Sequence, residues 1–293
     1  MALTIPCTTS RSIGLEEFID HVRREVDLRD VDSIAEAAPM LAALANDRDL
    51  VVNQLNRQMK GIFKGATVAS AQVIFLGEGK NFYVRANAWP STADIAAGRV
   101  YQDQFSYNVA HDHNYHFMTV GYFGPGYVTE IYEYEHDKVE GYPGEPVDFR
   151  FLERTHFASG RAMLYRASRD LHVQYPPEDL SITLNLMVET PEVRSRDQYF
   201  FDLERRTITN YPAESDGSRR VNVVTMAGLA GNSETCQLLT DLALRHPCRR
   251  TRLTAYESLA KLLPDDAARI WERATADASP LVVNQAHARL SVR

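Results

Sequence analysis

Apolar positions change their spacing twice along this chain of 293 residues. Over the first sixty residues they recur at helical intervals. Leu15, Phe18, Ile19, Val22 and Val26 form one such stripe behind Ser12 as a cap, and Ser33-Ile-Ala-Glu36 reads as a capping box that opens an Ala- and Leu-rich helix. A third helix over Asp49–Phe63 carries Val51, Leu55, Met59 and Ile62 on one face. The spacing then shortens to two. Runs rich in β-branched and aromatic residues predict strands at Val68–Phe75, Asn81–Ala88, Phe105–Tyr122, Tyr127–Tyr134, Val147–Glu153, Arg161–Tyr165, Asp170–Gln174 and Ser181–Val188. The Phe123-Gly-Pro-Gly126 turn between two of these runs has the look of a β-hairpin. Many short strands about ten residues apart predict an antiparallel sandwich or barrel.

From about Ser215 the helical period returns. Helices are expected at Val221–Ala230, Ser233–Arg245, Arg249–Leu263, Asp265–Ala276 and Pro280–Leu290, and antiparallel succession of such helices resembles a short HEAT-like stack. The expected division is a helical layer over residues 1–66 packed on the barrel, the barrel itself over 67–214, and a helical domain over 215–293.

Composition narrows the functional classes. Net charge is 32 minus 39, or −7, which argues against a dominant nucleic-acid role because a phosphate-binding surface carries a basic excess. Arg219, Arg220, Arg245, Arg249, Arg250 and Arg252 gather late in the chain, and a solvated helix face is the reading favoured for them. Cys7, Cys236 and Cys248 are odd in number and remote from the histidines, so neither a disulfide framework nor a cysteine metal site is expected. No stretch approaches the roughly 20 apolar residues of a membrane span, and Met1–Gly14 lacks a signal-peptide core. No membrane association is expected, and the cytoplasm is the expected compartment.

The candidate chemistry lies at His111-Asp-His113. On a strand, residues two apart project from one face, so two imidazoles form a two-point metal clamp with Asp112 turned away. His172, in Leu171-His-Val, is the best third ligand, and Glu130 is the runner-up. His116 is out of phase with the pair, while His136 and His156 fall in polar connections expected to face solvent.

This segment resembles the cupin superfamily, a jelly-roll barrel of mainly β structure with some α, and within it the thiol dioxygenases, of which cysteine dioxygenase is the familiar member. Four features carry the resemblance. His111-x-His113 with His172 on a later strand resembles the three-histidine iron site; the glutamate usual in cupins is missing from Asn114 to Val120; Gly160, Met163-Leu-Tyr165 and Asp170-Leu-His172 resemble the second cupin motif; and Tyr83-Val-Arg85 precedes the first ligand much as a Tyr-x-Arg pair does in that family, where the arginine grips the substrate carboxylate. The chain also departs from the family. The expected Ser-x-His-x-Tyr line maps onto Thr183-Leu-Asn185-Leu-Met187, and no cysteine stands near Phe117 for a cross-link to tyrosine. Cysteine is therefore not the substrate expected.

The resemblance implies Fe(II), with Zn, Mn or Ni as alternatives, and dioxygen plus a small molecule as reactants. The expected activity is a non-haem iron oxygenase acting on a small amino acid or amino-acid-derived metabolite. A metabolite-binding cupin with a helical partner-binding tail and a metal-dependent isomerase or hydrolase are the alternatives. The site expectation is His111, His113 and His172 on the metal, Tyr83 and Tyr115 at the reacting centre, and Arg85, Tyr107 and Asn185 on the substrate. A homodimer is also entertained.

Overall fold

A computed structural model describes residues 3–68 and 70–291. The chain forms two compact units. One holds the chain as far as Tyr134 together with Phe149–Pro191, and the other holds Glu135–Asp148 with everything from Glu192 onward.

The first unit begins with β1 (Leu3–Pro6) and four helices, α1 (Leu15–Glu25), α2 (Val31–Glu36), α3 (Ala38–Ala45) and α4 (Leu50–Ile62). Asp30, not Ser33, caps α2, its carboxylate accepting from the Asp32 amide. The helix expected to run on from Ser33 is two helices, with Pro39 in the first turn of α3, where its missing N–H costs nothing. Of the apolar stripe read on α4 only Val51 is buried, and Met59 and Ile62 lie exposed.

Nine strands follow in this unit: β2 (Val73–Gly79), β3 (Phe82–Trp89), β4 (Ala110–Asp112), β5 (His116–Phe123), β6 (Tyr127–Tyr134), β7 (Phe149–Phe157), β8 (Arg161–Tyr165), β9 (Asp170–Gln174) and β10 (Ser181–Val188), with a one-turn helix α5 (Thr92–Ala96) after β3. Ala69, inside the first expected strand, lies outside the described residues. The strands build two antiparallel sheets. One runs β1-β8-β5-β10-β3-β2, and the other, within this unit, β4-β9-β6-β7. Residues of both meet in one core of Trp89, Phe117, Met163, Tyr165 and Met187 against Tyr127, Ile131 and Phe157. A mainly β barrel of two antiparallel sheets with added helices is therefore the architecture observed.

Two expectations need correction. The long run from Phe105 to Tyr122 is not one strand but β4 and β5, which belong to different sheets. Nor do β5 and β6 pair as a hairpin, since β5 bonds to β8 and β10 whereas β6 bonds to β7 and β9. The intervening turn instead carries the chain from one sheet to the other. Gly126 sits at φ +88° with the Phe157 carbonyl so close that a side chain has no room.

A one-turn helix, α6 (Pro191–Arg194), leads to the second unit, with the hairpin β11 (Phe200–Asp202) and β12 (Thr207–Asn210) and helices α7 (Asp216–Ala230), α8 (Ser233–Arg245), α9 (Arg249–Leu262), α10 (Ala267–Ala274) and α11 (Pro280–Ser291). Helix α9 is its hub, packed by α7, α8 and α10. The arginines expected on a solvated face are partly drawn inside. Arg250 pairs with Asp197, Arg252 makes a two-pronged contact with Asp277, and Arg249 pairs with Glu140. His136, expected in solvent, is buried beside the ring of Tyr199, and burial among Arg196 and Arg249 pushes its pKa down to about 4. His156 is exposed as expected. No helix among the described residues is long and apolar enough to cross a membrane.

Candidate metal centre

His111 on β4 and His172 on β9 are register partners, so their side chains stand together on the inner face of their sheet, beside Ile131 of β6. His113 lies just past the end of β4 and turns to the same side. The Nε2 atoms converge: that of His172 is 3.2 Å from that of His111 and 3.1 Å from that of His113. Among the described residues these three are the group whose ligand atoms gather closely enough to hold an ion, within 4.8 Å of one another.

Metal–nitrogen bonds of roughly 2.0–2.2 Å at tetrahedral or cis-octahedral angles separate donor atoms by about 3.0–3.4 Å, and the two spacings from His172 fall in that range. Two neutral imidazole lone pairs facing each other at 3.1 Å repel unless a cation or a proton lies between them. His111 Nδ1 lies 2.9 Å from the Val109 carbonyl, and donation to that oxygen leaves the Nε2 lone pair free. Burial disfavours the charged form of all three. The pKa of His111 is lowered by desolvation alone, that of His172 further by His111, and that of His113 by desolvation, the two other histidines and Arg85. Neutral imidazole is the metal-binding form, so the residues present fit a divalent ion.

The other histidine and the carboxylates nearby are otherwise engaged. Asp112 points away, as the strand period requires, and accepts from the Tyr134 hydroxyl at 2.6 Å. His116 accepts the Ala167 amide proton at Nδ1. Glu130 follows the opposite phase from the inward Ile131 and pairs with Arg154 and Tyr132. The runner-up ligand is therefore outside the centre.

The three histidines open on a cavity of about 200 Å³. Its wall carries Arg85, Asn87 and Trp89 from β3, Asn185 from β10, Gln174 from β9, and Tyr115, Phe117 and Tyr127. Of the residues expected here the structure brings together His111, His113, His172, Arg85, Tyr115 and Asn185. Asn185 is the cross-strand partner of Arg85. Tyr115 stacks on His113, ring centroids 4.6 Å apart, and burial pushes its hydroxyl pKa up while Arg85 pulls it back. Arg85 has a buried Nε with no partner.

Two expected residues stand elsewhere. Tyr83 stacks against Phe75, and Tyr107 sends its hydroxyl to the Pro90 carbonyl at 3.0 Å; neither lines the cavity. Strand period places three further residues on the cavity wall. Asn87 and Trp89 lie two and four residues beyond Arg85, and Gln174 lies two beyond His172, so all three share the inward phase of a residue already singled out.

No protein-family model matches the chain, and no curated protein matches it in sequence. Solved structures overlap it weakly. Hydroquinone 1,2-dioxygenase from Sphingomonas sp. TTNP3, solved with 4-hydroxybenzoate bound, is 12% identical over 42% of this chain and 69% of its own, with a TM-score of 0.27. A cupin domain from Bordetella pertussis Tohama I is 11% identical over 43% of this chain and 100% of its own, TM-score 0.22. RmlC from Streptococcus suis, in complex with dTDP-D-xylose, is 7% identical over 47% of this chain and 60% of its own, TM-score 0.26. Overlaps of this extent say nothing of the reaction.

Proposed function

We propose that the protein is a metal-dependent cupin enzyme, a non-haem Fe(II) oxygenase that acts on a small amino acid or amino-acid-derived metabolite. The observation that carries this reading is the convergence of three neutral imidazole Nε2 atoms, joined by no carboxylate among the described residues, on a cavity that also holds a guanidinium. Three neutral ligands leave a divalent ion its full charge and open positions on one side, which suits an anionic substrate together with dioxygen. The chemistry such an ion supplies is activation of dioxygen toward an organic substrate.

The chain's own residues do the rest. Arg85 offers a planar fork that matches a carboxylate. The Tyr115 hydroxyl, kept protonated by burial, can donate a hydrogen bond beside it. Phe117, Trp89 and Tyr127 wall off bulk water, which strengthens every charge interaction inside. The resemblance to thiol dioxygenases favours iron over zinc.

The test is metal analysis of protein purified without added metal, followed by oxygen uptake with candidate amino-acid derivatives. Iron at near-stoichiometric occupancy and substrate-dependent oxygen consumption are expected. Full occupancy by zinc with no oxygen uptake would overturn the reading.

A further inference from the structure

Three helices of the second unit each turn one stripe of side chains toward a common furrow. Thr240, Ala243 and Leu244 come from α8, Tyr256 and Leu259 from α9, and Ile270 and Arg273 from α10, spaced three or four residues apart or adjacent as the helical period requires. With Leu263 they wall a cavity of about 300 Å³ that is mostly apolar. A second cavity of about 480 Å³ lies along the same helices, and Leu244, Tyr256 and Arg273 line both. Those three side chains mark the junction.

Charge at the junction is unbalanced. The two cavities are lined by Arg245, Arg252, Arg269 and Arg273 against Asp266 and Asp277. Asp266 pairs with Arg269, Asp277 takes a two-pronged contact from Arg252, and Arg245 reaches Asp241, which lines neither cavity. Arg273 makes no ion pair among the described residues. Beside it Tyr256 is only 3% exposed, yet its hydroxyl has no hydrogen-bond partner among the described residues. Burial and Asp277 keep that hydroxyl protonated, with Arg273 and Arg252 pulling the other way, so it stands as a donor. A buried tyrosine ordinarily places its hydroxyl on a partner, and one left unfilled beside a cavity points to a bound molecule.

We propose that this furrow is a second ligand site, carried by the helical unit alone, for a small monocarboxylate with an apolar tail. The carboxylate accepts from the Arg273 guanidinium and the Tyr256 hydroxyl, and the tail lies against Ala243, Leu259, Leu263 and Ile270. Leu244, 40% exposed at the rim, is covered by the same tail. A cationic head would meet Arg273 with the nearby carboxylates already engaged, and a second carboxylate on the tail would be stranded against hydrocarbon. At about 300 Å³ the apolar cavity stands at the lower end of small-molecule sites, which sets the size of the tail.

Sodium octanoate serves as the probe, titrated calorimetrically under anaerobic conditions into the full-length protein as purified, beside hexanoate and octylamine. Saturable binding of one octanoate is expected, about tenfold tighter than hexanoate because two more methylenes leave water, and tighter than octylamine. Arg273→Ala should weaken octanoate about tenfold and Tyr256→Phe about threefold, with helical content by circular dichroism unchanged since neither removes a bond within the protein. Octanoate that binds Arg273→Ala as it binds wild type lies elsewhere, at the metal centre or on the surface, and overturns the proposal. Tyr256→Phe keeps the packed ring and carries the test should Arg273→Ala lose helix; unchanged affinity there is equally fatal. So is a wild-type protein that binds no octanoate or binds octylamine as well.

Discussion

The β1-β8-β5-β10-β3-β2 sheet has two buried faces that do different work. On β3, Phe82, Val84 and Ala86 point outward into an aliphatic core under α1, α2 and α3, while Arg85, Asn87 and Trp89 point inward to the cavity. On β10, Leu184, Leu186 and Val188 face out, and Asn185 and Met187 face in. One face is hydrocarbon packed to near-zero exposure. The other mixes aromatic rings with amides, a guanidinium and, from the facing sheet, imidazoles. Polar groups are tolerated inside because the helical layer already supplies much of the burial that holds the sheet. A chain with only one buried face would have to use it for stability.

The separation of these tasks can be broken from either side. The largest effect is expected at the centre itself. His172→Ala should lower metal affinity more than about a hundredfold, since even removal of supporting groups around a metal ligand costs 10–100-fold, while the thermal unfolding of the metal-free protein stays close to wild type. Metal retained at full stoichiometry in that variant would remove His172 from the site. Next is the outer face. Leu184, fully buried, should cost about 2–5 kcal/mol in denaturant unfolding when changed to Ala, with metal content per folded molecule unchanged. Loss of metal at equal folded fraction would show that the two faces are coupled after all.

Arg85→Ala follows. Removing one partner of a buried charge-assisted pair is worth about a hundredfold in affinity, so KM should rise by that order while the metal stays, and Lys should recover only part of it because an ammonium lacks the fork. Unchanged KM in a stable variant would detach Arg85 from the substrate.

The smallest effect sharpens a contrast between the sheets. The outer face of the first is hydrocarbon, whereas β6 and its neighbours are tied by Glu130 to Arg154 and by Glu133 to Arg150 and Arg166. Hydrogen bonds from Arg150 and then Arg166 outweigh partial burial and hold the Glu133 pKa down from 4.5 to about 2. A depressed carboxyl pKa stabilises the fold above 4.5, and that contribution is lost as pH falls from 4.5 through about 2. Glu133→Gln should therefore lower Tm at pH 7 and make little difference near pH 2. An equal deficit at both would exclude the ion pairs as its cause.

Sequence by itself determined β3, β6, β8, β9 and β10 to within a residue, because aromatic and β-branched runs broken by Gly and Pro need only local chemistry to be read. It also determined the three histidines as a group: two share a strand phase, and His172 sits in a third apolar run. Asp112 turning away followed from the same period. What tertiary structure alone decided is which sheet each strand joins. The break after Asp112 and the crossing at Gly124-Pro-Gly126 put β4 opposite β5 across the cavity, and no local pattern distinguishes that crossing from a hairpin turn. The same holds for the roles of the tyrosines. Tyr83, Tyr107 and Tyr115 are alike as strand residues, yet one stacks on Phe75, one is tied to the Pro90 carbonyl and one faces the histidines. Likewise Glu135–Asp148, from the middle of the chain, joins the helical unit. Period records which way a side chain points from its own strand, while pairing partners depend on residues tens of positions away, and that is information only the folded chain contains.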